Sequence, residues 1–229
     1  MQLDFAAREL TIKLVYYGPA LSGKTTNLRA LHELAAKESR GRLMTLDTKD
    51  DRTLFFDLLP LHLTAASGLK VRLKLLTVPG QVIHNATRRL VLQGADGVAF
   101  IADSRKSESK ETAAAFVNLR QNLTDNGIRP SDFPVVIQFN KRDLPDIRPD
   151  AELDQLAKQG KEPVFKAIAT NGTGVSETFL GLLSTTWNKL EQNHQLTEKF
   201  QIEAAEVVDH FRRQLTLPEG LDVSTGGRR

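Results

Sequence analysis

Cysteine is absent from the 229 residues of the chain. This absence excludes disulfide bonds, thiolate metal sites and a cysteine nucleophile, together with palmitoylation and a prenylated C-terminus. Gln2 stands where N-myristoylation requires glycine. No run of 18 apolar residues occurs, and charges interrupt the first ten residues, where a signal peptide is apolar. We therefore expect a cytoplasmic protein with no direct membrane anchor.

An excess of charge of one sign is also missing. The chain has 31 Lys and Arg against 28 Asp and Glu, and the two signs are interleaved. A basic surface for nucleic acid or for an anionic membrane is therefore not indicated. Hydrophobic residues make up 40% of the chain and charged residues 26%, as in ordinary globular proteins, so we expect one main domain with an appendage.

The chain is organised around residues 10–26, which read LTIKLVYYGPALSGKTT. The β-branched and aromatic run predicts a strand that ends at Gly18, and a helix is expected from about Lys24. The spacing between Gly18 and Gly23-Lys24-Thr25 is that of a phosphate-binding loop, whose amides and following helix N-terminus attract phosphate. The predicted nucleotide-binding residues of this loop are Gly18, Pro19, Ala20, Leu21, Ser22, Gly23, Lys24, Thr25 and Thr26.

Each residue type in this loop has an expected task. A side chain at Gly18 or Gly23 would fill space that the phosphates need. Lys24 stabilises the β- and γ-phosphates as a point charge, and the Thr25 hydroxyl supplies one ligand of an octahedral magnesium ion. The alternative is a plain glycine-rich turn, but the strand and helix that flank it favour a nucleotide.

The remaining elements are predicted from periodicity and turn residues. Strands at 53–60 and 69–78 are separated by a short turn and should pair antiparallel, giving a sheet edge next to the nucleotide loop. The other expected elements are an extended piece at 43–46, helices at about 85–92, 107–126, 150–158 and from 175 to beyond 190, and strands at 98–102, 135–139 and 163–168. Such alternation predicts an α/β fold whose mostly parallel sheet is flanked by helices, with ligands beyond the carboxyl ends of the strands.

Two more polar clusters follow predicted strands. Residues 77–81 (TVPGQ) are typical of a plain turn, and only the phosphate loop upstream makes a contact with phosphate the favoured interpretation. In residues 140–143 (NKRD), Asp143 can accept two hydrogen bonds from guanine but faces an acceptor on adenine, while Asn140 can brace the loop and the Lys141 stem can cover the base. On its own, the NKRD pattern is often a plain polar turn. Because it follows a phosphate loop here, it predicts GTP or GDP as the ligand.

These motifs, in this order, resemble those of the Ras-like small GTPases, and within them the MglA group of bacterial gliding-motility and cell-polarity switches. The resemblance covers about residues 8–190 and rests on YYGPALSGKTTNL, DDRTLFFDLLP, TVPGQ and NKRDLP. It implies a P-loop NTPase fold with a Ras-like G domain over residues 1–190. It also implies magnesium as a cofactor beside the guanine nucleotide.

The resemblance further implies roles for residues outside the phosphate loop. Thr53 is the switch threonine that meets magnesium and the γ-phosphate, Gln81 positions the attacking water, and Arg52 is an arginine finger supplied in cis. The expected catalytic residues are therefore Lys24, Arg52, Thr53 and Gln81, the metal ligands Thr25 and Thr53, and the further nucleotide contacts Gly80, Asn140, Lys141, Asp143, Ala169 and Thr170. The Ala169 amide is expected to face the base.

The chain departs from the usual Ras-like pattern at two positions. Thr77 stands where most members have aspartate, so a hydroxyl replaces a carboxylate in the outer shell of magnesium; MglA-like proteins share this threonine. Ala20 stands where many relatives have glycine. Its methyl group is expected to crowd Gln81 or the incoming arginine, which affects hydrolysis and not binding.

The expected function is a molecular switch that hydrolyses GTP slowly alone and faster with a roadblock-domain partner of the MglB type, acting through polarity or motility effectors. Partners would bring it to a cell pole. One alternative is a GTP-loaded binding module with negligible hydrolysis. A second alternative, an adenine-nucleotide kinase or ATPase, is opposed by Asp143.

The chain continues beyond the expected G domain. Residues 191–215 are predicted to form an amphipathic helical extension, and residues 216–229 a flexible tail. The apolar stripe of the extension consists of Leu196, Phe200, Val207, Phe211 and Leu215. We expect this stripe to pack back on the core, with dimerisation and partner docking as alternatives.

Overall fold

The computed structural model describes residues 1–46, 56–81 and 84–215, which form one mixed sheet with helices on both of its faces. The strands are β1 Gln2–Asp4, β2 Glu9–Tyr17, β3 Met44–Leu46, β4 Phe56–Thr64, β5 Lys70–Thr77, β6 Gly97–Asp103, β7 Val135–Asn140 and β8 Val164–Lys166. The α-helices are α1 Lys24–Leu34, α2 Asn85–Leu92, α3 Ser109–Asp125, α4 Asp150–Gln159, α5 Val175–His194, α6 Leu196–Phe200 and α7 Ala204–Gln214. Within these residues, no helix is long and apolar enough to cross a membrane.

The sheet has the strand order β3-β4-β5-β2-β6-β7-β8. Strands β5, β2, β6, β7 and β8 run parallel to one another, which confirms the predicted mostly parallel α/β sheet. Every residue of β6 is buried, as its continuous apolar run predicts. The carboxyl ends of these parallel strands therefore lie along one edge of the molecule, where the predicted polar clusters follow them.

The strand at the edge of the antiparallel part of the sheet is β3, and not β4 as the sequence predicted. Strands β4 and β5 pair antiparallel as expected, but β3 pairs with the outer side of β4 and is itself the outermost strand. Strand β4 begins at Phe56 and runs past Pro60 to Thr64, while residues 53–55 of the predicted strand lie outside the described residues. Proline is tolerated within β4 because its backbone groups face away from β5: the Pro60 carbonyl accepts the Gly41 N–H at 2.8 Å on that side.

Strand β1 has no counterpart among the predictions. It pairs antiparallel with Glu9–Thr11 of β2, whereas β6 pairs with the same strand only over Leu14–Tyr17. The first strand thus satisfies backbone groups that β6 does not reach. Three residues without clear alternation carry no periodic signal, because the pairing partner alone makes them a strand.

Two hydrophobic clusters fill the spaces between sheet and helices. Helices α1, α5, α6 and α7 cover one face, and α2, α3 and α4 cover the other. The largest buried side chain, Trp187, lies on α5 in the first cluster. Both sheet faces are therefore closed, and the strand ends remain the accessible part of the sheet.

The C-terminal extension packs on the core, but as two helices and not as one. The chain leaves the helical conformation at Gln201, where φ is +52°, and this break buries Ile202 completely. On a continuous helix, Ile202 would lie about 200° around the axis from Phe200, on the polar face. The division between a domain at 1–190 and an extension at 191–215 stays a prediction, and residues 216–229 lie outside the described residues.

Three contacts fix α7 to the rest of the fold. The Phe211 ring meets Phe179 of α5 edge-on, with 5.7 Å between ring centroids. The Ala36 N–H donates to the Gln214 carbonyl at 3.0 Å, just after α1 ends. The Ala66 N–H, in the turn between β4 and β5, donates to Glu206 Oε1 at 3.0 Å. The extension therefore belongs to the packed structure of the protein.

We expect Phe211→Ala to lower the free energy of unfolding by about 3–5 kcal/mol, because the ring is 1% exposed and leaves a cavity. Chemical denaturation of the full chain measures this loss. Arg213→Ala, at an exposed position of the same helix, is the matched control and should stay within about 0.5 kcal/mol of wild type. Equal stability of the two variants would contradict the packing of α7 on α5.

Candidate nucleotide-binding site

The loops after β2, β5, β7 and β8 converge at the carboxyl edge of the sheet. A cavity of about 660 Å³ lies between the loop at 18–23, the start of α1 and residues 77–81. The loops after β7 and β8 are joined to the phosphate loop through Asn140, which bonds to Ser22 and to Ala169. The structure thus brings together all three predicted polar clusters.

The two glycines of the phosphate loop are required by neighbouring protein atoms. Gly18 and Gly23 have φ angles of +150° and +99°, which L side chains rarely adopt. A side chain at Gly18 would collide with the Ile101 carbonyl oxygen, and one at Gly23 with Nδ2 of Asn140. Protein atoms alone therefore exclude side chains at both positions, and the expectation that such side chains would also fill phosphate space stays a prediction.

Lys24 lies inside the loop, with a side chain that is 7% exposed. Its Nζ donates to the Pro19 carbonyl at 2.6 Å and to the Gly18 carbonyl at 3.2 Å. Burial lowers the pKa of Lys24 to about 7; the charge of Arg88 lowers it as well, and that of Asp57 opposes them. An anion in the adjacent cavity would favour the charged ammonium, since opposite charges stabilise each other strongly where water is excluded.

A carboxylate that the sequence prediction missed lies at the centre of the cavity wall. Asp57, on β4, is 6% exposed and is surrounded by three threonine hydroxyls. Thr25 donates to Asp57 Oδ2 at 2.6 Å, and Thr45 donates to Oδ1 at 2.9 Å. Thr77 donates to Oδ2 at 3.0 Å and accepts the Asp57 backbone N–H at 2.8 Å.

This arrangement adds a carboxylate to the site beside the Thr77 hydroxyl, supplied by the antiparallel neighbour β4. That the Thr77 hydroxyl replaces a carboxylate in the outer shell of magnesium stays a prediction. The alternation of β4 could have identified Asp57 from the sequence, because Asp57 falls on the buried side of the strand with Leu59, Leu61 and Leu63. An acidic residue in the buried half of an alternating strand indicates a polar site at that point of the sheet.

Asn140 joins the phosphate loop to the loop after β8. Its Nδ2 donates to the Ser22 carbonyl at 2.8 Å, and its Oδ1 accepts the Ala169 N–H at 3.0 Å. The residue is 2% exposed. The Ala169 amide, expected to face the base, therefore faces Asn140, while Thr170 next to it is exposed.

A second buried polar connection runs beneath the same loops. Gln138 Nε2 donates to Asn27 Oδ1 and to Thr178 Oγ1, both at 2.8 Å. Asn27 in turn donates to the Gly23 carbonyl at 2.9 Å, and Thr178 donates to the Gly174 carbonyl at 2.6 Å. Strand β7 therefore links the phosphate loop to the loop after β8 through Asn140, and links α1 to the start of α5 through Gln138.

The residues expected to contact guanine differ in their surroundings. Lys141 has a φ of +67°, and its Nζ donates to Asp103 Oδ2 at 2.6 Å. Burial would raise the pKa of Asp103, but hydrogen bonds from Arg105 and Lys141 outweigh it and hold that pKa below its usual value. Asp143 is exposed and has no hydrogen bond or ion pair with any residue that the structure describes. Its carboxylate thus faces outward beside an anchored lysine.

Residues 77–81 lie against the phosphate loop. Gly80 approaches Ala20 so closely that a side chain on Gly80 would collide with the Ala20 backbone. Gln81 is exposed at the rim of the cavity. The Ala20 methyl group therefore lies against Gly80, and its crowding of Gln81 or of an incoming arginine stays a prediction.

The other predicted residues are distributed around this cavity. Leu21 and Thr26 line it, and Leu21 is 87% exposed with a φ of +59°. Pro19 accepts the Lys24 hydrogen bond described above. Arg52 and Thr53 lie outside the described residues, so their predicted roles stay predictions.

Together, the parallel sheet, the phosphate loop with its buried lysine and the asparagine brace define a Ras-like P-loop GTPase. No protein-family model matches the chain. Over 190 residues the chain is 42% identical to "Mutual gliding-motility protein MglA" of Myxococcus xanthus (strain DK1622), a match that covers 83% of this chain and 97% of that protein. The chain belongs to the MglA family of Ras-like small GTPases.

The lowered pKa of Lys24 predicts a pH-dependent stability in nucleotide-free protein. Between about pH 7 and pH 10.5 the unfolded chain holds one proton more than the folded chain at this residue. Its contribution to the free energy of unfolding therefore rises with pH, by up to about 1.4 kcal/mol per pH unit. Urea denaturation from pH 7 to pH 9.5 should show this rise in wild type and not in Lys24→Met.

The control for this prediction is Lys106→Met, at a lysine whose side chain is 57% exposed. Its stability should follow the wild-type pH dependence. Parallel curves for wild type, Lys24→Met and Lys106→Met would contradict the buried, deprotonating ammonium.

Proposed function

We propose that the chain binds GTP and hydrolyses it to GDP and phosphate, as a two-state switch. The observation that carries this proposal is the placement of two loops by one side chain, since Asn140 bonds to both Ser22 and Ala169. A nucleotide that spans the two loops meets the Lys24 charge at its phosphates and the Asp143 carboxylate at its base. Lys24 selects for phosphate and Asp143 selects for guanine, so both contacts are needed to select a guanine nucleotide.

Guanine recognition is assigned to the loop after β7. The Asp143 carboxylate accepts hydrogen bonds from the guanine ring N–H and exocyclic amine, and the Lys141 stem covers the base. The ion pair with Asp103 holds this stem in place, at 2.6 Å. On adenine the same carboxylate would face an acceptor, so its desolvation would not be compensated.

Magnesium fits the oxygen-rich wall of the cavity. The hydroxyls of Thr25 and Thr53 are the proposed ligands, and Asp57 is proposed to accept hydrogen bonds from the water molecules that magnesium keeps. The Asp57 carboxylate is already within 2.6 Å of the Thr25 hydroxyl, which supports this role. When bound, the ion neutralises charge on the β- and γ-phosphates.

Hydrolysis is assigned to residues that surround the γ-phosphate. Gln81 orients the attacking water, Lys24 stabilises the phosphates, and Arg52 supplies a second positive charge from within the chain. Such charges act by stabilising the transition state, because phosphoryl transfer requires positioning and charge neutralisation and little covalent help. The segments around Thr53 and Gln81 are ordered by GTP and released when the γ-phosphate leaves.

The name of the Myxococcus relative connects that protein with gliding motility. We extend this to the chain as a polarity or motility switch that acts through effectors. A roadblock-domain partner of the MglB type is proposed to accelerate hydrolysis by arranging Arg52 and Gln81. Recruitment to a cell pole is assigned to partners.

A second candidate function is a GTP-loaded binding module with negligible hydrolysis. The observation in its favour is the contact between Ala20 and Gly80, which lies one residue before the proposed water-positioning glutamine. This contact would hold Gln81 away from the γ-phosphate if it persisted with GTP bound. The hydrolysis measurement below separates the two functions.

Nucleotide selectivity tests the binding half of the proposal. In a competition at equal concentrations, wild type should bind GTP in preference to ATP. Asp143→Asn should lower the affinity for GTP by about 100-fold, because two charge-assisted hydrogen bonds are lost. Asp146→Asn, an exposed aspartate of the same loop, should keep wild-type selectivity. Equal binding of ATP and GTP by wild type would refute guanine recognition.

Single-turnover hydrolysis of GTP tests the catalytic half. With enzyme in excess, Gln81→Leu and Arg52→Ala should each hydrolyse GTP about 10²-fold or more slowly than wild type, since each removes a group that acts in the transition state. Arg42→Ala, at an exposed arginine before β3, serves as the control and should hydrolyse at the wild-type rate. Equal rates in all four proteins would contradict the roles of Gln81 and Arg52, and negligible hydrolysis by wild type would favour the binding module.

A further inference from the structure

Arg88, on α2, is a buried cation that neither the sequence motifs nor the proposed mechanism uses. Its side chain is 1% exposed. No carboxylate of the described residues forms an ion pair with it. A guanidinium removed from water without a counter-charge is costly unless its donors are well satisfied, so the groups that satisfy it indicate its task.

Two of these groups are the backbone carbonyls of the loop that follows β5. Arg88 Nε donates to the Pro79 carbonyl at 2.8 Å, and Nη2 donates to the Gly80 carbonyl. The planar fork of one guanidinium therefore holds two successive carbonyls. A lysine at this position would offer a single point charge on a flexible stem.

The rest of the guanidinium rests on a rigid platform. Nη1 donates to Asn118 Oδ1 at 2.9 Å, and the group lies over the Tyr17 ring, 5.3 Å from its centre. The Tyr17 hydroxyl donates to the same Asn118 oxygen at 2.5 Å and accepts from Asn122 at 2.9 Å. Because Tyr17 immediately precedes Gly18, this platform sets the Pro79-Gly80 segment relative to the phosphate loop.

Holding these carbonyls determines where an amide points. The Pro79–Gly80 peptide bond is trans, so its carbonyl and the Gly80 N–H point in opposite directions. Gly80 separates two cavities: Arg88 lines one of about 550 Å³, and Lys24 lines the other of about 660 Å³. The Pro79 carbonyl points to Arg88, so the Gly80 N–H points away from Arg88, and the cavity that Lys24 lines is the other cavity that Gly80 borders.

We propose that Arg88 is a positioning residue that aims the Gly80 amide at the γ-phosphate and thereby sets the preference of the site for GTP over GDP. This inference rests on the proposed function, because it assumes that the 660 Å³ cavity holds the phosphates. The amide contributes nothing to GDP, which has no γ-phosphate. A merely structural arginine would affect both nucleotides alike.

The test compares the affinities of the full chain for GDP and for a non-hydrolysable GTP analogue, both with magnesium. In Arg88→Lys and Arg88→Gln, the affinity ratio of the GTP analogue to GDP should fall about tenfold, the equivalent of one charge-assisted hydrogen bond, while GDP affinity stays within about twofold. The matched control is Arg89→Lys, at the exposed neighbour whose side chain donates to the Asp125 carbonyl. Its ratio should equal that of wild type.

An unchanged ratio in both Arg88 variants would overturn the proposal, and so would an equal loss of affinity for the two nucleotides. If thermal unfolding shows that neither variant folds, Asn118→Ala decides instead. It removes the acceptor of Nη1 but leaves both carbonyls in reach, so the ratio should fall about threefold; no fall would overturn the proposal. Wild type that binds neither nucleotide would refute the proposed function itself, whereas a normal wild type with unaffected variants refutes only the role of Arg88.

Discussion

One side-chain amide holds the site together. Asn140 spans from the Ser22 carbonyl to the Ala169 N–H, and its donor and acceptor are fixed in a single plane. The separation between the phosphate loop and the base loop is therefore set by the geometry of one group. Gly23 has to be glycine partly because this amide occupies the space of its side chain. A second connection lies one turn further along α1, where Gln138 donates to Asn27 and Asn27 donates to the Gly23 carbonyl.

The charges of the site are unbalanced in a way that favours an anionic ligand. Lys24 and Arg88 are buried cations, and Asp57 is the carboxylate buried among the hydroxyls of the same cavity wall. Part of this imbalance lowers the pKa of Lys24. A polyphosphate with its metal ion would relieve the repulsion between the two cations and restore the charged lysine. The charged groups that bind the ligand are thus already in position in the folded chain, so little free energy is needed to order them on binding.

Much of the fold and the three polar clusters of the site follow from sequence patterns. Periodicity and turn residues predict the parallel strands, and glycine spacing predicts the loop around Lys24, because both depend on neighbours in sequence. Asp57 and Arg88 could not be assigned in this way. Asp57 acquires its role from Thr25 and Thr77 across the sheet, and Arg88 from carbonyls eight and nine residues earlier. The break at Gln201 likewise depends on the core that receives Ile202.

The pairing of Asp57 with Thr77 has a consequence for how such a site can change over generations. The two residues lie just beyond the register pair Leu58–Leu76 on adjacent strands. Introducing an aspartate at position 77 alone would place two carboxylates next to each other in a buried space, while replacing Asp57 alone would leave this pair of positions without a carboxylate. We expect either single replacement to impair the site. The acid could therefore move from one strand to the other only if both positions changed together.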